Sequence, residues 1–215
     1  MEESSGQREV LTSAEMQKED VQAEAWGDRQ TKKKKYTFRL LLQNIQRFPL
    51  SARESKHEDI LNWIFTDEAD AVILTEVNTY WPNVKPHQQW NERTNGRIPQ
   101  GEKHRFALNR HGSPPGTMQY GGVGALALGE TRHRLCGTGE DLTGLGRWVW
   151  MRYKGKGEHH LRVVGAYRPN PKGTGENTVH AQHQKYLLQQ EDTRDPQVAF
   201  NQDLAKQIKK WTLIG

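Results

Sequence analysis

A chain of 215 residues with 33% hydrophobic content and a mean hydropathy of −0.94 can bury one sizeable core but must leave part of its length in water. No apolar run approaches the roughly 20 residues that span a bilayer, and the chain opens on Glu2, Glu3, Ser4 and Ser5 rather than on a basic then apolar leader, which sets aside membrane and secreted classes. The single cysteine, Cys136, admits neither an internal disulfide nor a C-x-x-C zinc site and points to a reducing compartment, nucleus or cytoplasm. The formal charge of +5 is uneven. Residues 1–30 carry eight acids against three bases, so −5 resides there and +10 on residues 31–215. A folded part with that excess can be drawn to a phosphate backbone by counterion release, although ordinary surface lysines give the same sum.

Residues 1–31 have little periodicity and many Glu, Gln and Ser, so ordering them would not be offset by apolar burial. With the basic run Lys32 to Lys35 they read as a disordered acidic tail over 1–35, followed by one domain over 36–215. The run Tyr36 to Ile45 fits a buried strand. After the breaker Pro49, the segment Glu54 to Phe65 sets Ile60, Leu61, Ile64 and Phe65 on one helical face. Ala69 to Thr75 is a second strand, giving a βαβ-like beginning. The polar stretch Asn78 to Gly121 yields no clear elements beyond short strands. Gly122–Leu128, Arg147–Tyr153 and His160–Tyr167 read as consecutive members of one sheet. Thr178–Gln190 and Phe200–Lys210 read as helices, and the final WTLIG as a strand.

Candidate chemistry stands at strand ends: Asn44 in LLLQNIQ, Glu76 in AVILTE, and Tyr167, Arg168 and Asn170 in VVGAYRPNP. Side chains at the carboxyl ends of neighbouring strands converge on one edge of a sheet. A carboxylate there suits Mg²⁺, which needs only one or two protein oxygens, while Tyr, Asn and Arg can hydrogen-bond a phosphate. The first two residues alone fit better a loop-capping Asn and a solvated Glu; the third strand end shifts the balance. Trp148 and Trp150 alternate as core residues of a strand. The DEAD tetrapeptide at Asp67–Asp70 has no phosphate loop to accompany it, and the pairs His159/His160 and His180/His183 lack the geometry of a ligand set.

In chain order, LQNI, ILTE, GGVGALAL and AYRPN resemble the signatures of the endonuclease/exonuclease/phosphatase (DNase-I-like) superfamily over about residues 36–215, and GRWVWMRY to TVHAQHQKYL looks most like the endonuclease domains of retroelement-type mobile sequences. The resemblance implies an α/β fold, a partial four-layer sandwich built mainly from the first sheet with its flanking helices. It also implies a Mg²⁺-dependent phosphodiesterase acting on nucleic acid, DNA foremost, as a monomer. Glu76 would ligate the metal, Asn44 would hold the active-site hydrogen-bond network, and Tyr167 and Asn170 would contact the scissile phosphate. Arg147, Arg168 and Lys172 are candidates for a basic rim on the nucleic acid.

Two departures follow. Gln46 stands where many relatives have Asp, Asn or Gly, and an apolar strand of the WTLIG type is followed in the family by Asp-x-Asn and later by Ser-Asp-His, neither of which occurs in residues 1–215. A chain without the group that orients the attacking water would lose most of its rate. The expectations are therefore a partial gene product, inactive alone and with its second sheet largely absent. The alternatives are a nucleic-acid-binding fragment without catalysis and a phosphatase of the same superfamily.

Overall fold

Strand β1 (Leu40–Asn44) runs parallel to β2 (Ala71–Thr75), joined by helix α1 (Ser55–Thr66), as the alternation of apolar strand and amphipathic helix requires. The computed structural model describes residues 32–50, 55–66, 68–98, 101–111, 116–171 and 175–214, and the expected acidic tail over 1–31 lies outside them. Strand β2 then pairs antiparallel with β4 (Val123–Leu128), and β4 with β3 (Glu102–Ala107), giving the order β1-β2-β4-β3. A second sheet is the meander β5 (Leu135–Glu140), β6 (Trp148–Lys154) and β7 (His160–Ala166). Helix α2 (Trp90–Thr94) precedes β3, and helices α3 (Val179–Gln189) and α4 (Pro196–Ile214) close the chain.

Side-chain alternation along β2 builds two cores. Val72 and Leu74 face outward onto Ile60 and Ile64 of α1 and onto Phe48, Trp81 and Trp90. Ala71 and Ile73 face inward, with Ala125 and Ala127, onto Val149, Met151 and Tyr153 of the second sheet. Small residues on the inner face let the sheets approach closely: a Cβ on Gly165 of β7 would stand 2.5 Å from Ile73. The outer face of the second sheet is covered by α4, where Trp148 meets Phe200 and Trp150 meets Trp211 at centroid distances of 6.1 and 5.8 Å.

The α/β class expected from the sequence is what the structure has, but two parts of the expectation are corrected. The second sheet, expected to be largely absent, is present as three strands, and it covers the inner face of the first. The runs at 122–128, 147–153 and 160–167 do not share one sheet, because β4 inserts between β2 and β3. The terminal Trp211–Ile214 is the last turn of α4 rather than a strand; Trp211 is held by Trp150 and by Arg162, so the helix register continues to the sheet surface. The basic run is not wholly solvated either, since Lys33 Nζ lies 2.6 Å from Asp70 Oδ2. Burial alone would raise the Asp70 carboxyl, but Lys33, the Arg39 amide and the Thr131 hydroxyl outweigh it and hold its pKa below the usual range.

Buried imidazoles give the fold an acid limit. His183 of α3 donates from Nε2 to the Leu145 carbonyl at 3.2 Å, and its burial, aided by the charge of Arg147, pushes its pKa down to about 4. In the unfolded chain it titrates near 6.5. Between those values the unfolded state binds the proton and the native state does not, so stability is full above about pH 6.5 and is lost as pH falls toward 4. The expected loss from this group is roughly 3 kcal/mol by pH 4. Denaturant titrations across that window check it: His183→Gln should flatten the slope, and an unchanged slope would exclude His183 as its source.

Candidate active site

The chain leaves β1 and β2 side by side. Arg47 N–H donates to the Glu76 carbonyl at 2.7 Å and Phe48 N–H to that of Val77 at 2.8 Å. Four residues here other than glycine adopt left-handed backbone: Gln46 (φ +48°), Arg47 (+106°), Glu76 (+52°) and Asn78 (+49°). Such conformations cost about 1–2 kcal/mol each and concentrate at functional sites. Side-chain hydrogen bonds hold the bends: Asn44 Oδ1 accepts from the Gln46 amide at 3.0 Å, and Asn78 Oδ1 from the Gly121 amide at 2.7 Å.

Beside this bend lies a cleft of about 550 Å³ lined by Glu76, Asn78, Tyr120, Tyr167, Asn170 and Asn177, with the start of α3 at its edge. Tyr167 follows β7 and is anchored by its amide, which donates to the Arg147 carbonyl at 2.8 Å. Burial, together with the hydrogen bond to Glu76 and that carboxylate's charge, pushes the Tyr167 phenol up to about 12. At neutral pH it is therefore a hydrogen-bond donor to Glu76 and not a base. Helix α3 begins at Thr178, whose Oγ1 accepts from the Ala181 amide, so the positive end of its dipole borders the cleft. Glu176, exposed, adds a second carboxylate to the lining. Two larger clefts, about 630 and 600 Å³, lie along β5 and β3 away from these strand ends.

Of the residues singled out in the sequence, Glu76, Tyr167 and Asn170 share the cleft. Asn44 does not line it; exposed at the neighbouring strand end, it turns its side chain back onto the Gln46 amide. Arg168 is exposed next to the cleft residues, and Lys172 lies outside the described residues. Arg147 is corrected. It is buried at 2% exposure, paired through Nε to Asp141 at 2.7 Å and through Nη1 to Asp203 at 2.8 Å, and its guanidinium stacks over Trp148 at 4.4 Å. Its place just before β6, at the turn that packs on α4, uses the charge internally and leaves none for a rim. His180 and His183 part company, the first reaching Asp195 and the second the Leu145 carbonyl.

The sequence reading missed Asn78, Tyr120 and Asn177, together with a buried amide cluster in which Gln182 Oε1 accepts from both Asn109 and Gln119. The signal for Asn78 was its spacing two residues past the strand-end Glu76. Asn109 and Gln119 carried none, since they meet only through the packing of α3.

For a divalent cation the donor set fits Mg²⁺ only in its sparest form: one or two carboxylates, with waters completing the shell. Among the described residues no group of three or more His, Cys, Asp or Glu side chains converges. No described helix is long and apolar enough to cross a membrane.

No family model matches the chain, and no curated protein does. Solved structures similar to it include an endonuclease/exonuclease/phosphatase family protein from Leptotrichia buccalis, with a TM-score of 0.43 and 13% identity over 71% of this chain and 63% of that one. An AP endonuclease from Archaeoglobus fulgidus gives 0.41 and 13%, covering 72% and 49%. The 3′ phosphatase NExo from Neisseria, bound to product DNA hairpin, gives 0.39 and 16%, covering 62% and 42%. The chain thus spans less than two thirds of the length of each of these proteins.

Proposed function

We propose that the cleft at Glu76 is part of the active site of a divalent-metal-dependent phosphodiesterase acting on DNA. The observation that carries the reading is the meeting, in one cleft, of a strained strand-end carboxylate and a phenol from the other sheet that hydrogen-bonds it. Glu76 would hold Mg²⁺, which when bound supplies positive charge to a phosphoryl oxygen. Tyr167 orients the Glu76 carboxylate by donating to it, and the Asn170 amide has the donors to meet a phosphate oxygen at the cleft edge. The positive end of α3 favours an anion there. Of the three rim arginines and lysines, Arg168 is the one whose described position keeps it available to a backbone phosphate. The narrower likeness to endonuclease domains of mobile elements belongs to the same proposal, and it rests on the run from GRWVWMRY to TVHAQHQKYL.

Nicking of supercoiled plasmid in Mg²⁺ tests the reading. Residues 1–215 are expected to nick barely, and a protein extended through Asp-x-Asn and Ser-Asp-His elements to nick readily, because the cleft alone supplies metal and phosphate contacts without the group that orients water. DNA binding with no nicking by either would leave a binding fragment. Release of terminal phosphate without nicking would point to the phosphatase chemistry instead. Robust nicking by residues 1–215 would show that the further elements are dispensable.

A further inference from the structure

The outer face of the second sheet carries an arrangement that the Glu76 cleft does not use. Arg152 of β6 and Arg162 of β7 are directly opposed Cα partners across the two strands. Like charges in that position repel, and an arginine cannot relieve the repulsion by losing its proton. Neither guanidinium has an ion pair or hydrogen bond to a carboxylate among the described residues, and the Nε of each is buried without a hydrogen-bond partner. Other arginines of this sheet region do reach carboxylates: Arg105 and Arg110 share Glu140, and Arg147 has Asp141 and Asp203. Burial and the charge of Arg152 both press on Arg162, holding its guanidinium below its usual range.

Arg162 is held by indole faces, which attract a cation. Arg162 lies 5.2 Å from the Trp150 ring and 4.8 Å from the Trp211 ring, so the end of α4 clamps it onto the sheet. Arg152 lies over Gly137, where a Cβ would stand 3.6 Å from its Nε. The next cross-strand pair is Lys154 with His160, both exposed, and Arg134 donates from Nε to the Lys154 carbonyl at 2.8 Å. Glu158 in the intervening turn makes no ion pair among the described residues. Both side chains are only partly buried, so although their Nε atoms are shielded, two guanidiniums without carboxylate partners, flanked by further bases, can meet the oxygens of a phosphate group, which arginine takes through paired hydrogen bonds.

We propose that Arg152 and Arg162 form a phosphate-binding site that takes the backbone of a nucleic-acid strand, on the far end of the second sheet from Tyr167. The four steps along β7 from Arg162 to Ala166 place it about 13 Å from the cleft end of the strand. It stands whether or not the Glu76 cleft cleaves anything.

Side-chain NMR of the arginine Nε–Hε groups tests it on the full chain, with inorganic phosphate and a twelve-nucleotide single-stranded DNA as separate probes. The Arg152 and Arg162 signals are expected to shift with DNA at least tenfold more tightly than with phosphate, while Arg110, held by Glu140, stays still. Arg152→Gln should abolish the response without lowering the melting temperature, because it removes a repulsion, and should reduce the salt slope of DNA binding by about 0.7. Arg162→Gln, which also loses ring contacts, serves as the second variant. Equal response to phosphate and DNA would overturn the nucleic-acid source and assign the site to free phosphate. Silence of both signals to both probes, with a fall in melting temperature for both variants, would overturn the site and make the pair a structural element.

Discussion

Arg147→Ala is expected to destabilise the protein by about 3–5 kcal/mol, the largest stability effect of any charged residue described. The guanidinium and the Asp141 carboxylate have side-chain exposures of 2% and 1%, and Asp203 is the only partly open member of the trio. Burial works against the Arg147 charge, but the two carboxylates more than compensate, holding its proton more tightly than usual. Among the described residues, removing it leaves buried Asp141 with only the Thr143 amide and hydroxyl as donors, and Asp203 with Arg194 alone. Arg147→Met with Asp141→Leu should recover much of the loss, because an apolar pair of similar volume needs no compensation. Urea titrations of the single and double variants measure the coupling. A single variant that loses less than about 1 kcal/mol, as exposed ion pairs do, would return Arg147 to the surface role that its sequence position suggested.

Glu76→Ala is expected to lower plasmid nicking by about 10²-fold or more in a protein that carries this segment with the Asp-x-Asn and Ser-Asp-His elements, a loss near 3 kcal/mol of charge stabilisation. Glu76→Gln should be nearly as harmful, since it keeps the shape and the Tyr167 contact but removes the negative charge that would hold the cation. The same substitution should let the Tyr167 phenol ionise more easily, because one of the influences holding its pKa near 12 is the Glu76 carboxylate. Burial, the larger cause, remains, so the shift is downward but partial. Phenolate absorbance against pH reads that shift without any catalysis. If Glu76→Ala nicks at the unmutated rate, the metal assignment is wrong; if the phenol does not move in Glu76→Gln, the two side chains do not interact as described.

What the sequence made legible follows from where periodicity is strong. The all-buried AVILT of β2, the alternation of β6 and the face of Ile60, Leu61 and Ile64 on α1 each demand one structure, and each is found. Strand β5 was invisible because LCGTGE has no apolar alternation; its glycines are there for Trp150, whose ring lies where a Cβ on Gly139 would be, 2.6 Å away. The stretch after Asn78 hid Trp81 and Trp90, core residues carried on short turns whose local composition is that of a loop. That Glu76, Tyr167 and Asn170 share one cleft was legible because each follows an apolar run that ends at the same edge. Arg147 was misread because sequence places a charge on a strand but not on a face, and only the packing of α4 onto that strand decides that its partners are Asp141 and Asp203.

The meander of the second sheet has a kinetic consequence. Strands β5, β6 and β7 pair only with their chain neighbours, whereas β2 must find β4 across the whole of residues 76–122 before the first sheet exists. Closing short loops loses less entropy than closing long ones, so the hairpins of residues 135–166 form early and present Val149, Met151 and Tyr153 as a template. The small inner residues Ala71, Ala125 and Ala127 are expected to condense on that template, with the strained bends at Gln46 and Glu76 closing last. The half of the molecule that bears the carboxylate is thus the half that depends on the other for its assembly, and pulse-labelled hydrogen exchange should find the amides of β6 protected before those of β1.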